Sequence, residues 1–173
     1  MSRRVRILGI DPGSRLTGFG VVDLVDDRAR FVASGAVRTA DGEFPDRLRQ
    51  IFEAVEQLVS EYAPQELAIE SVFVHKNAGS ALKLGHARAA ALCATFSASL
   101  SVHEYAPREI KQAVTGTGNA TKEQVQHMVV RLLGLDGAPS ADASDALAAA
   151  LCHGHRRQLD GRVGDVVSLG SAG

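Results

Sequence analysis

Residues 5–10 (VRILGI) form an apolar run, and 17–25 (TGFGVVDLV) and 29–38 (ARFVASGAVR) form two more, divided by Asp11-Pro12-Gly13 and Asp26-Asp27. Runs of this length bounded by turn residues predict strands. The first lacks polar alternation, as expected of a strand covered on both faces. Three strands joined this tightly predict an antiparallel meander. Over 45–62 the apolar positions Leu48, Ile51, Phe52, Val55, Leu58, Val59 and Tyr62 recur at helical spacing, with Pro45 suited to a helix start. A short strand is predicted at 66–70 (ELAIE), a long Ala-rich helix from 78 to about 98, and a strand at 101–105 (SVHEY). Helices follow near 107–114 and 121–133, the second starting at Thr121 with Glu123 as its capping partner. The last helix is predicted at about 142–154, and the Gly-, Ser-, Asp- and Arg-rich tail 158–173 is predicted to be disordered. A meander followed by alternating helices and strands predicts an α/β fold, a mixed five-stranded sheet with helices on both faces. The expected organisation is one domain over 1–157 and a tail over 158–173.

Composition narrows the function classes. The chain is 45% hydrophobic with no apolar run of membrane-spanning length and no basic-then-apolar leader, so the sequence predicts a cytoplasmic protein. Cys93 and Cys152 lie in Ala/Leu-rich helical stretches and are read as small buried hydrophobes, neither paired nor metal-bound. The net charge of −1 excludes a uniformly basic surface, but the charge is uneven. Residues 43–66 carry six acids against two arginines, whereas 73–131 carries seven bases against three acids. A local basic face on a neutral protein binds a polyanion, because screening confines each charge to about 8–10 Å.

Four acids occupy positions that a purely structural sequence avoids. Asp11 and Glu70 each end an apolar strand, and Asp142 and Asp145 open the last helix in SADASDALAAAL. If the first and fourth strands are neighbours, their ends lie about 4.8 Å apart. Residues three apart on a helix share a face. Carboxylates crowded in this way repel one another and resist desolvation unless a cation compensates. All-oxygen ligation suits Mg²⁺ or Mn²⁺, and two such ions roughly 3.5–4 Å apart support phosphodiester hydrolysis. No Cys and no tight His cluster interrupts this set in the sequence; His153 and His155 fall about 12–15 Å along the helix from Asp145, too far to join it. Taken singly, Asp11 is also a common turn residue and Asp142 a common helix cap.

The segments GIDPGSRLTGFGVV, IESVFVHKNAGSALKLGHARAA, YAPREIKQAVTGTGNATKEQVQHMV and SADASDALAAAL, in this order and spacing, closely resemble the RuvC family of Holliday junction resolvases, from residue 7 to about 155. The resemblance implies a ribonuclease-H-like fold and a homodimer. It further implies a crossover junction endodeoxyribonuclease that makes paired, symmetrical, Mg²⁺- or Mn²⁺-dependent nicks in a four-way DNA junction, and work beside the RuvA and RuvB branch-migration proteins. Asp11, Glu70, Asp142 and Asp145 match the family's four catalytic, metal-holding acids. Phe73 matches the aromatic set against bases at the junction centre, where an apolar ring stacks on any base. Lys111 and Lys122 match basic positions near the site, and Lys76, Lys83 and Arg108 extend the DNA-facing set. Two other readings remain at this stage. An actin-like nucleotide binder would use GIDPGSRLTG as a phosphate hairpin but would need a second related half, and a non-catalytic junction-binding module would have no use for the full acid set.

Overall fold

The computed structural model describes residues 4–72 and 77–170, with side chains through Gly161. Five strands, β1 (Arg4–Asp11), β2 (Leu16–Val25), β3 (Arg28–Arg38), β4 (Glu66–Glu70) and β5 (Ser101–Tyr105), form one sheet in the order β3-β2-β1-β4-β5. The first three make the antiparallel meander; β4 and β5 run parallel to β1. The β2–β3 turn places Asp26 and Asp27 at φ 47° and 63°. Two successive left-handed residues match the twist of the flanking strands, and short polar Asp tolerates that region better than most side chains.

The helices are α1 (Phe44–Tyr62), α2 (Ala78–Cys93), α3 (Pro107–Thr115), α4 (Lys122–Leu133) and α5 (Ala141–Gly170). Helices α1 and α2 cover one sheet face, where Leu8, Ile10, Val21, Leu67 and Ile69 pack against Ile51, Val55, Ala87 and Ala91. On the other face Ile7, Val22, Leu24 and Ala68 meet Leu147, Ala150 and Leu151 of α5, with Ile110, Val114, Val125 and Val129 of α3 and α4 joining the same core. Coverage on both sides explains why β1 reads as a continuous apolar run, and its Ile7, Leu8 and Ile10 are fully buried. Helix α5 is buried all round from Ala146 to Gly154, so it lacks the one-sided pattern of α1.

Four sequence expectations are corrected. The Ala-rich helix α2 ends at Cys93, five residues short of the expected end. Buried Thr95 donates its hydroxyl to the Leu92 carbonyl at 2.8 Å, closing the turn, and a separate 3₁₀ turn follows at Phe96–Ala98. Cys93 is exposed, unlike Cys152, because it lies on the outward side of α2; both thiols are free. The last helix, expected to end at about 154, runs on as helical backbone to Gly170. Long-range contacts hold it past that point: Arg157 bonds Glu66 and the Gln158 amide donates to the Asp27 carbonyl at 2.8 Å.

The cap of α4 is the fourth. Thr121 Oγ1 accepts from the Gln124 N–H at 3.2 Å while Gln124 Oε1 accepts from the Thr121 N–H at 2.9 Å. The reciprocal partner is therefore Gln124 at the normal box spacing and not Glu123. Thr121→Ala removes the hydroxyl acceptor and is expected to lower stability by about 1 kcal/mol, read as a lower urea midpoint at an unchanged slope.

Candidate active site

Asp11 and Glu70 lie side by side. The β1–β4 register pairs Ile10 with Ile69, and the two acids are the next residues on these parallel strands. Past Asp11 the chain turns through Pro12-Gly13, and buried Thr17 holds the turn by donating its hydroxyl to the Gly13 carbonyl at 2.9 Å. The third and fourth acids come from α5, which crosses the same sheet face with its N-terminus above these strand ends. Ser140 begins that helix: its Oγ accepts from the Ala143 N–H at 3.4 Å and its carbonyl from the Ser144 N–H at 2.9 Å. Ser140 therefore does the capping, and Asp142 is free to face the strands.

Close approach of α5 depends on glycine. A Cβ on Gly18 would lie 2.0 Å from the Asp142 carbonyl oxygen, one on Gly9 2.0 Å from that of Ala146, and one on Gly20 2.7 Å from the Leu147 side chain. In the β1–β2 register Asp11 faces Gly18 and Gly9 faces Gly20, so these residues form a side-chain-free trench beside Asp11 in which the helix backbone rests on the sheet.

The electrostatics follow from this crowding. Asp11 is pushed up to about 7, first by burial and then by the charges of Asp145, Glu70 and Asp142, with Lys122 opposing. Glu70 is also raised, by burial and then Asp145, with Lys122 and Lys111 opposing. Lys122 Nζ donates to Asp145 Oδ2 at 3.0 Å, and that pairing raises the lysine above its usual value. A cluster that raises its own members' proton affinity favours a positive partner, and Lys122 supplies a single charge to four acids.

Asp11 and Glu70 open onto a cleft of about 240 Å³ lined also by Ser71, Val72, Leu84 and Pro107. Of the basic residues expected to face DNA, Lys111 on α3 and Lys122 at the start of α4 lie within electrostatic reach of the acids. Lys83 is exposed on α2 beside Leu84 of the cleft wall. Arg108 instead packs over Gly118 and lines a separate, mostly apolar cavity of about 690 Å³ between α3 and α5, away from the acids. Phe73 and Lys76 lie outside the described residues. His153 does not approach the acids and bonds Glu66 at the other end of β4, 2.6 Å from its Oε2. His103 is within reach of the same pair, so a His/Glu cluster does exist that the sequence reading did not find, its members separated by up to 87 residues.

The chain is similar to known proteins over most of its length. The family model described as crossover junction endodeoxyribonuclease RuvC matches residues 7–153. A crossover junction endodeoxyribonuclease RuvC from Aromatoleum aromaticum is 56% identical over 153 residues, 88% of this chain and 83% of that one. One from Methylococcus capsulatus is 54% identical over 162 residues, covering 94% and 98%. Among solved structures, Thermus thermophilus RuvC in complex with a Holliday junction substrate superposes with a TM-score of 0.84 at 34% identity, covering 90% of this chain and 96% of that one. The yeast mitochondrial Holliday junction resolvase, at 12% identity and a TM-score of 0.65, shares the fold, with 90% and 82% covered. With fold and sequence in agreement, this ribonuclease-H-like chain belongs to the RuvC family of crossover junction endodeoxyribonucleases.

Proposed function

We propose that this protein resolves Holliday junctions in recombination and repair, nicking two opposed strands by divalent-metal-dependent hydrolysis to leave 5′-phosphate and 3′-hydroxyl ends. The observation that supports the reading is that Glu70, Asp142 and Asp145 all lie within electrostatic reach of Asp11, with Lys122 acting on both Asp11 and Glu70 and Lys111 on Glu70. The donor set is all oxygen and carries excess negative charge, which fits hard cations such as Mg²⁺ or Mn²⁺. Divalent cations would be held by Asp11 together with Glu70, Asp142 and Asp145, whose charges all act on it. Bound there, divalent cations supply activation of the attacking water and charge stabilisation at the phosphoryl group.

The chain's own residues set the rest. In the hydrolysis a water oxygen bonds to phosphorus, the P–O3′ bond breaks, and the phosphate stays on the 5′ end. Lys111 and Lys122 place positive charge where the phosphoryl oxygens gain negative charge. Lys122, which donates to Asp145 in the metal-free chain, would be available to a phosphate oxygen once cations neutralise that acid. The Pro12-Gly13 turn and the Pro107 end of α3 form the cleft walls that align the strand.

Two equivalent strands call for two equivalent sites, which a twofold dimer provides. Helix α2 offers the surface: Leu82, Gly85, Ala89 and Cys93 follow one another at helical spacing on its exposed side and lead to Phe96, with Leu82 and Phe96 each 65% exposed. We infer that this stripe is the dimer contact, since its exposed apolar positions follow one another along one side of the helix where single exposed side chains would carry no meaning.

The test is cleavage of a synthetic four-way junction against linear duplex of the same sequence. Paired incisions at symmetrical positions are expected in the junction with Mg²⁺ or Mn²⁺, with little cutting of duplex and none in EDTA. Equal cutting of both substrates would reduce the protein to a general nuclease.

A further inference from the structure

At the far end of the same sheet face lies a second set of metal-capable side chains, chemically unlike the four acids. Glu66 opens β4, the strand that Glu70 closes. His103 stands on β5 opposite Ala68. His153 lies on α5, 11 residues beyond Asp142 (153 − 142), or about 16 Å along the helix. One ligand atom from each of Glu66, His103 and His153 falls within 4.8 Å of the others.

The surrounding bonds are ordered. His153 is 2% exposed, with Nε2 at 2.6 Å from Glu66 Oε2 and Nδ1 at 2.6 Å from the Tyr105 hydroxyl. The other Glu66 oxygen accepts from Arg157 at 2.5 Å. Burial holds the His153 imidazole below its ordinary value, against the opposing pull of Glu66. His103 is held differently: its ring stacks on His153 at 4.0 Å between centroids, and its Nε2 has only a 3.4 Å contact with Ser101 Oγ. A hydrogen-bonded network accounts for Glu66 and His153 but leaves the nearby His103 nitrogens almost unused.

We propose that Glu66, His103 and His153 form a binding site for a Zn²⁺-class transition-metal ion, separate from the nuclease acids. Two imidazoles and one carboxylate are a donor set such ions prefer, with water completing four-coordination. Tyr105 and Arg157 stand where metal sites place supporting groups, one on the far nitrogen of a ligating histidine and one on the far oxygen of a ligating carboxylate. The ion takes the Nε2 lone pair of the tautomer whose single N–H stands on Nδ1 and donates to the Tyr105 oxygen: the proton between Nε2 and Glu66 Oε2 is given up to solvent, one is taken up at Nδ1, and the ring stays neutral. Arg157 is the charge that opposes the ion; its side chain is 27% exposed and lies on the opposite oxygen. Because Mg²⁺ and Mn²⁺ select the all-oxygen cluster, both sites fill together. An ion here ties β4, β5 and α5 to one another at the end of the sheet where no acid cluster holds them, and an ion that binds only the folded chain stabilises it.

The test uses the full chain, stripped by chelator and titrated with Co²⁺ in excess Mg²⁺, without DNA. The expected result is one Co²⁺ per chain, with the visible absorption of a tetrahedral nitrogen–oxygen site, displaced by Zn²⁺ and accompanied by a higher melting temperature. His103→Ala, a change on the partly exposed member, is expected to abolish both the absorption and the melting shift while junction cleavage persists. Tyr105→Phe is expected to weaken Co²⁺ binding about 10- to 100-fold. No saturable binding in excess Mg²⁺, or equal binding by wild type and His103→Ala, would overturn the site and leave a hydrogen-bonded network only. Since no step of this experiment reads cleavage for its metal signal, its failure and failure of the nuclease reading are separable.

Discussion

Asp11→Asn is expected to lower junction cleavage by about a thousandfold or more while leaving junction affinity nearly unchanged, because it removes the central charge of the cation-binding cluster and little of the surface that meets DNA. Cleavage at the wild-type rate with Mg²⁺ would show that Asp11 does not serve the reaction. The same substitution carries a stability signature of opposite sign. Asp11 sits at about 7 in the folded chain, against 3.8 for a free aspartate, because it is buried and faces Asp145, Glu70 and Asp142. A raised acid means that the folded state holds its proton after the unfolded state has released it. Stability from this group is therefore greatest below about pH 4, falls as pH rises toward 7, and stays low above that. Asparagine carries no charge to penalise, so in EDTA at pH 8 the variant should be more stable than wild type by an amount of the order of 2 kcal/mol, several degrees in melting temperature, with the difference vanishing near pH 4. Saturating Mg²⁺ should reverse the ranking by stabilising wild type more. A variant less stable than wild type in EDTA at pH 8 would mean that burial of the Asp11 charge and repulsion from its neighbours do not weaken the fold. Such a trade, in which a residue needed for activity weakens the empty fold, is what a cluster waiting for cations entails.

Much of this arrangement is written locally in the chain. The strands at 66–70 and 101–105 coincide with β4 and β5 at both ends, because short apolar runs between polar residues leave little freedom over where pairing starts and stops. The four acids were legible for a related reason: a carboxylate at the end of a buried strand, or two on one face of an Ala-rich helix, stands out against its neighbours. What stayed hidden is held by distant contacts. Gln124 rather than Glu123 caps α4 because the box depends on a three-residue reach that only backbone geometry selects. The helical backbone past residue 157 relies on Glu66 and Asp27, more than ninety positions upstream of their partners. Glu66, His103 and His153 meet only once β4, β5 and α5 are assembled, and nothing in their local sequence announces a cluster. Arg108 shares its basic stretch with Lys111, yet α3 turns it toward a different cavity. One hidden feature did leave a trace: Gly9, Gly18 and Gly20 recur at period two on the strands flanking Asp11, so all three bare positions share the face that carries the acid.

That glycine trench yields the second large effect. Gly18→Ala puts a methyl group where the Asp142 carbonyl oxygen now lies, 2.0 Å from the new Cβ, with the carbonyl carbon at 2.5 Å. Backbone atoms cannot yield as the end of a flexible side chain can, so the first turn of α5 must lift away from β2. Asp142 moves with it, and Asp145 one turn on, while Asp11 and Glu70 stay fixed by the β1–β4 pairing. The helix acids are then displaced from the strand acids. Cleavage is expected to fall at least about a hundredfold, since displacement of a catalytic group by about 1 Å costs that much, and overpacking is expected to cost about 1–3 kcal/mol of stability. To separate misplacement of the acids from general loosening, Gly161→Ala serves as the control: a Cβ there meets nothing within 4 Å, at the far end of α5 from Asp142. If misplacement is the cause, Gly18→Ala requires much higher Mn²⁺ for half-maximal cleavage even at temperatures well below its melting point, and Gly161→Ala keeps the wild-type Mn²⁺ dependence. Should Gly18→Ala cut at the wild-type rate with unchanged Mn²⁺ dependence, then direct seating of α5 on β2 is not what brings its aspartates to the strand ends.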